Sequence, residues 1–231
     1  MTNQEKFIIL MNRGHKLNMG TRERKEREKL LRKHSILNAA EKIFFKRGLE
    51  SITIEEIAEE AELAKGTIYR YFQSKDELIL AITLKAARIF NSIGEKQINA
   101  CSGTWDKILA AIKTYQIFYT DYPDYFNLFI MWDTIKINFD FVDEQSVHAE
   151  YLNETNRMHE NFLKIIETGI EEKVIREIDN PRKTLFIFMT TIFGYFRTLV
   201  KRLDLVEKRF GYSFEECCNG LEILIERTFR L

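Results

Sequence analysis

The chain has 231 residues, 45% of them hydrophobic and 30% charged, with only 10 glycines and 2 prolines. That length buries a sizeable core in one or two domains, and so few breakers exclude a turn-rich β architecture in favour of long helices. Its 35 basic residues balance 35 acidic ones, but residues 1–47 hold 13 Lys/Arg against 5 Asp/Glu, a local balance of +8 that the remainder offsets. The asymmetry implies an N-terminal part that meets a polyanion, with a solvated basic arm as the bland alternative.

Cys101, Cys217 and Cys218 give neither a disulfide framework nor zinc spacing, so a reducing, cytoplasmic setting is expected. Residues 7–11 are too short for a signal-peptide core, and residues 185–196 are too short to span a bilayer.

Taken in order, residues 1–18 show no clear period. The text becomes charge-dense from Met19, which points to Met19 as the natural start; the intact mass of natively expressed protein tests this. Residues 1–29 form a basic arm. The spacing of Ile36, Ala40, Ile43 and Phe44 predicts a first helix over 30–46, ended by Gly48. Thr53-Ile54-Glu55-Glu56 has the form of a capping box and opens a short helix with Ile54, Ile57, Ala58 and Ala61 inward. A third helix covers about 64–72. Ser74-Lys75-Asp76-Glu77 is a second box, before a longer helix with Leu78, Ile82 and Ile89 on one side.

The rest is also helical. An amphipathic helix is predicted over 105–120. Pro123 interrupts the chain, and residues 125–141 are crowded with aromatics. A long helix covers about 144–174, and another starts at Asn180-Pro181, where proline suits the first turn. Ser213-Phe214-Glu215-Glu216 opens the last helix.

Three helices within 30–72, the second and third joined by a tight turn, match a helix-turn-helix, with the motif at about 53–72. In that arrangement the third helix enters the major groove. Lys65 suits a phosphate, Gly66 permits close approach, and Thr67 can hydrogen-bond or touch a thymine methyl. Tyr69 can reach a phosphate oxygen, Arg70 a base edge or the backbone, and Lys75 adds a clamp. Ile68 should anchor the helix on the core.

The segments Ile36 to Phe44, Gly48, Thr53 to Ala58 and Lys65 to Leu78 together resemble the TetR family of transcriptional regulators. The resemblance covers about residues 30–85. It implies an all-α chain: a helix-turn-helix DNA-binding domain over 30–76 and a helical ligand-binding and dimerisation domain over 77–231. It further implies a homodimer on a near-palindromic double-stranded operator, most often a repressor, that changes its grip when a small molecule binds. Thr53, Lys65, Thr67, Tyr69, Tyr71 and Lys75 become the expected DNA contacts, beside Gly66 and Arg70. Two positions depart from the family's text. Glu62 replaces the usual turn glycine, so it must accept a left-handed backbone or shift the turn, and Ala64 replaces the usual Ser or Thr cap.

The aromatic band suits a cavity for an apolar or aromatic effector, with Tyr115, Tyr119, Phe126, Phe129, Trp132, Tyr151, Met158 and Phe162 as lining and Met131 and Met189 as pliable wall. Aromatics at helical spacing also build ordinary core. The helix after Pro181 is apolar almost all round at its start, so one face is expected at a dimer seam with 150–174, through Phe188, Ile192, Tyr195, Phe196 and Leu199.

Two other classes remain. No Glu-x-x-His pair, Gly-rich phosphate loop, Gly-x-Ser-x-Gly elbow or Cys/His zinc spacing supports an enzyme, so no catalytic residue, metal or cofactor is expected. A membrane-surface protein is disfavoured, because a helix lying on lipid needs no capping boxes or tight turns.

Overall fold

The computed structural model describes residues 21–48, 52–130 and 146–231. Among them are ten α-helices and no β-strand. The chain divides into two compact units, Met1–Gln73 and Ser74–Leu231.

The first unit contains α1 (Thr21–Arg47), α2 (Ile54–Glu60) and α3 (Lys65–Tyr69). α1 packs on α2 and α2 on α3, and Ile36, Ala39, Ala40 and Phe44 of α1, Ile54, Ile57 and Ala58 of α2 and Ile68 of α3 are all buried. Ile43 and Ala61, expected inward, are half-buried. Gly48 ends α1 with φ +81°, and its N–H reaches the Phe44 carbonyl at 2.7 Å. α1 starts at Thr21, well before residue 30. The added turns consist of Arg, Lys and Glu, which favour helix, and Arg24 pairs with Glu28 one turn on at 3.2 Å.

The second unit is built round α4 (Lys75–Asn99), which packs against α5 (Thr104–Asp121), α6 (Pro123–Ile130) and α7 (Val147–Glu171). α8 (Pro181–Lys201) lies against α7 and α6, and α10 (Phe214–Phe229) against α5. The short α9 (Leu203–Phe210), which no glycine or proline announces, follows α8 after Arg202. Caps hold the starts. Ser74 Oγ accepts from Glu77 N at 3.1 Å and Asn180 Oδ1 from Lys183 N at 3.0 Å, and Ser213 and Glu216 form the full reciprocal box.

The core of this unit is aromatic. The fully buried Phe118 ring meets Phe90, Phe126 and Phe129 with centroids 5.5–5.8 Å away. Tyr115 stacks on Phe196 at 4.7 Å, nearly parallel. Each such pair adds about 0.5–1.5 kcal/mol to its area burial. The chain's end is pinned by a single bridge between Ile175 and Arg230, with Arg176 N donating to Phe229 O at 2.9 Å.

Candidate nucleic-acid interface and effector cavity

The turn between α2 and α3 is built by backbone bonds. Thr53 Oγ1 accepts from Glu56 N at 3.3 Å, and Thr53 N donates to the Glu56 carboxylate at 3.0 Å, so both halves of the predicted box form. At the other end Glu62 N donates to Glu59 O at 3.0 Å and Leu63 N to Ala58 O at 2.8 Å. This is the Schellman pattern, which needs a left-handed backbone at the first of these donors. Glu62 supplies it with φ +55°. It accepts the strained backbone and does not shift the turn, at a cost of about 1–2 kcal/mol for a residue with a Cβ. α3 then starts at Ala64 with no side-chain cap.

α3 spans only Lys65–Tyr69, shorter than the sequence suggests, and Ile68 at its centre is fully buried. Lys65 forms an ion pair with Glu55, and its amine sits 5.9 Å from the Tyr69 ring centroid. The Lys65 hydrogen bond holds the Glu55 carboxyl below its ordinary value, and Lys65 is raised in return. Tyr69 is 46% exposed. Gly66 is exposed, and a Cβ built there would meet nothing within 4 Å. Thr67 is buried instead, and its hydroxyl accepts from Arg70 at 3.1 Å. Arg70 and Thr53 are exposed, while Tyr71 and Lys75 are half-buried. Behind this surface Arg47 pairs with Glu56. The Arg47 hydrogen bond, with those of Thr53, brings the Glu56 carboxyl down to about 2.

The second unit holds a cavity of about 50 Å³ between α4, α5, α7 and α8. Phe90, Ile98, Met158, Phe162 and Met189 give it apolar walls, and Tyr115 closes one side. Burial alone raises the Tyr115 phenol, whose hydroxyl makes no hydrogen bond to another described residue. Asn91, Glu95, Arg157 and Asn161 are its polar edge. Asn91 Nδ2 donates to the Glu154 carboxylate at 2.7 Å, and Arg157 binds both Glu154 and Glu95. Burial pushes the Glu154 carboxyl up, but the Arg157 and Asn91 hydrogen bonds outweigh it and leave the group below its ordinary value.

Of the expected lining, Tyr115, Met158 and Phe162 face this cavity, as does Met189. Tyr119 packs on Phe126 and Phe214, Phe129 stacks on Phe90, and Phe126 is wholly buried; none of the three lines this cavity. Tyr151 is buried elsewhere, its phenol pushed up to about 12. Trp132 and Met131 lie outside the described residues. The residues expected at the seam lie as follows. Phe188, Ile192, Phe196 and Leu199 are buried in the chain's own core, and Tyr195 donates its hydroxyl to the Cys217 carbonyl at 2.7 Å. α7 is occupied by α4, α5 and α8. The apolar residues that α8 turns outward are Phe186 and Ile187, and those of α10 are Ile223 and Leu224.

Residues 36–82 match the profile of the bacterial regulatory proteins of the tetR family. These residues are a TetR-family DNA-binding domain. A helix-turn-helix transcriptional regulator of Bacillus subtilis, YvkB, is 29% identical over 177 residues, 75% of this chain and 84% of that one. A tetR-family transcription regulator from Shewanella sp. PV-4 shares the fold at a TM-score of 0.61, with 16% identity over 87% of this chain and 98% of that chain. AibR, whose structure was solved with isovaleryl coenzyme A and operator DNA, also gives 0.61, at 17% identity over 86% of this chain and 98% of that chain. A DNA-binding transcriptional regulator is therefore the protein's class. Among the described residues, no group of three or more His, Cys, Asp and Glu side chains could hold a metal, and no helix is long and apolar enough to cross a membrane.

The TetR-family helix-turn-helix was legible in the sequence, but the cavity's α4 wall was not. The apolar spacing of Leu78, Ile82 and Ile89 marks α4 as a helix but does not single out Phe90, Asn91, Gly94 and Ile98. A signal was present: Asn91 is a lone amide in an apolar run, and Gly94 is a mid-helix glycine one turn on.

Proposed function

We propose that the protein is a ligand-released repressor that acts as a homodimer on a near-palindromic operator. Residues 30–76 would bind DNA and residues 77–231 would bind the effector and the second subunit. One observation carries the DNA-binding assignment. α3 exposes Tyr69 beside Lys65 and Gly66, and nothing in the chain's own packing requires a glycine there. A helical glycine costs about 1 kcal/mol relative to alanine, so room for a phosphate or sugar is its best reason. Lys65, Gly66, Tyr69 and Arg70 are the first contacts in this reading. Thr53, Tyr71 and Lys75 stand at the edges, and Thr67 acts by positioning Arg70.

The outward apolar residues of α8 and α10 support the dimer. Phe186, Ile187, Ile223 and Leu224 are each more than half exposed, and large apolar side chains left exposed in adjacent pairs suit an interface. The effector is an apolar or aromatic molecule with one acceptor for the Tyr115 hydroxyl. The cavity is small for such a guest, so Met158 and Met189 must repack on entry. α4 supplies one wall, and its cap Ser74 directly follows Gln73 in the chain. A shift of α4 is therefore the shortest route from effector to DNA. Moving such a switch from 1:99 to 99:1 takes about 5.5 kcal/mol of differential binding.

The test is a footprint on DNA from upstream of the protein's own gene, with the solution mass measured beside it. A dimer protecting two half-sites about 34–36 Å apart is expected. A monomer, or protection without paired half-sites, would overturn the proposal.

A further inference from the structure

α1 is longer than its packing requires. Its buried residues begin at Ile36, so residues 22–35 run on for roughly 20 Å at 1.5 Å per residue. Residues 22–32 are all exposed. Their charges are not scattered. Arg22, Lys25, Lys29 and Arg32 recur at intervals of three and four, which places them on one stripe of the helix. Lys33 adjoins the stripe and sits 5.6 Å from the Phe72 ring centroid. Continued along the helix, the stripe becomes Ile36, Ala40 and Phe44, the face buried in the first unit. One face of α1 is thus apolar where it packs and cationic where it projects.

One acid, Glu26, shares this face between Arg22 and Lys29, which leaves the four cations in excess. Arg24, on the opposite side, pairs with Glu28 at 3.2 Å. Among the described residues, Arg22, Lys25, Lys29 and Arg32 make no ion pair. The four cations span about 15 Å along the helix axis, in steps of about 4.5, 6 and 4.5 Å. A line of point charges at that pitch fits a sugar-phosphate backbone and offers nothing to a base edge.

We propose that this stripe is a second DNA-contacting surface, which lies along duplex phosphates beside the site held by α3 and reads no sequence. The proposal rests on the DNA-binding reading above. An anionic membrane is the poorer fit. The projecting turns carry only Leu30 and Leu31 as large apolar residues, neighbours about 100° apart that form no apolar face.

The experiment uses the full chain and a variant with Arg22→Gln, Lys25→Gln, Lys29→Gln and Arg32→Gln, which keeps helix propensity. Both are titrated with a 40-base-pair duplex of arbitrary sequence and with DNA from upstream of the gene, between 50 and 200 mM salt. Circular dichroism checks that both are folded. If three phosphates are contacted, the wild type should lose roughly 40-fold more affinity over that range than the variant, on both duplexes. Equal salt slopes would overturn the proposal. So would a variant that loses binding only to vesicles containing anionic phospholipid. A Lys65→Ala/Tyr69→Ala variant separates the two readings. It should lose preference for the upstream DNA while keeping the steep slope on the arbitrary duplex. If that preference survives, the α3 reading fails, while a slope lowered by the glutamines would still support the stripe. Wild type that binds neither duplex would remove both.

Discussion

In the proposed function the two units work in opposite ways. In the first, the informative residues point outward from a small core: Lys65, Gly66, Tyr69 and Arg70 are all exposed. In the second they point inward, and Tyr115, Phe162 and Met158 differ from their neighbours only in which side of a helix they occupy. An outward site forces polar and small residues into positions where packing would not place them, and that leaves a mark on the sequence. An inward apolar site uses the same residue types as core, and only three-dimensional placement separates the two.

The comparison can be broken most severely at the centre of the second unit. Phe118→Ala should cost about 3–5 kcal/mol in urea unfolding, because a fully buried ring with aromatic neighbours leaves a cavity. A loss under about 1 kcal/mol would mean that the aromatic cluster is loosely packed. Gly169→Ala comes next. A Cβ there would lie 2.5 and 2.8 Å from atoms of Ile175 and 3.3 Å from Thr104. Overpacking against a buried isoleucine should cost about 1–3 kcal/mol in the same measurement.

Two matched glycines sharpen the contrast. Gly66→Ala and Gly94→Ala both add a Cβ without a clash: Gly66 has nothing within 4 Å, and Gly94 has Thr114 at 3.6 Å. Each should stabilise the protein by about 0.5–1 kcal/mol, since both glycines are helical. Each should also weaken one function, DNA binding for Gly66 and occupancy of the cavity for Gly94. Thermal melts with DNA titration and with uptake of a solvatochromic apolar dye would read both. Full activity in either alanine variant would remove the functional reason for that glycine.

The smallest effect concerns acid. Glu56 is held near 2 in the folded protein against an ordinary 4.5. A depressed carboxyl contributes stability that is complete above its unfolded pKa and is lost as pH falls toward the folded value. The difference in Tm between wild type and Glu56→Gln should therefore shrink between about pH 4.5 and 2. A constant difference would show that the Arg47 pair, which lies at the surface, does not act through the carboxylate charge.

The same contrast explains what could be read in advance. The Thr53 box, the three-helix order and the strained Glu62 follow from local chemistry, because caps and left-handed turns involve residues a few positions apart. The start of α1 did not follow, since helix propensity without a cap marks no boundary. Nor did the break at Arg202, where neither glycine nor proline stands. The outward face of α8 is the instructive case. Phe186 and Ile187 are as apolar as Phe188 and Ile192, so composition gave two candidate faces. Only the packing of α8 on α6 and α7 shows which set is core.

The central claim is that α3 is the part of the molecule that grips DNA. The most direct measurement is the affinity of wild type and the Lys65→Ala/Tyr69→Ala variant for DNA upstream of the gene, at matched salt and with melts to confirm folding. The account predicts selective, salt-sensitive binding by wild type and at least a hundredfold loss in the variant with little change in Tm. Equal affinity of the two proteins would contradict it.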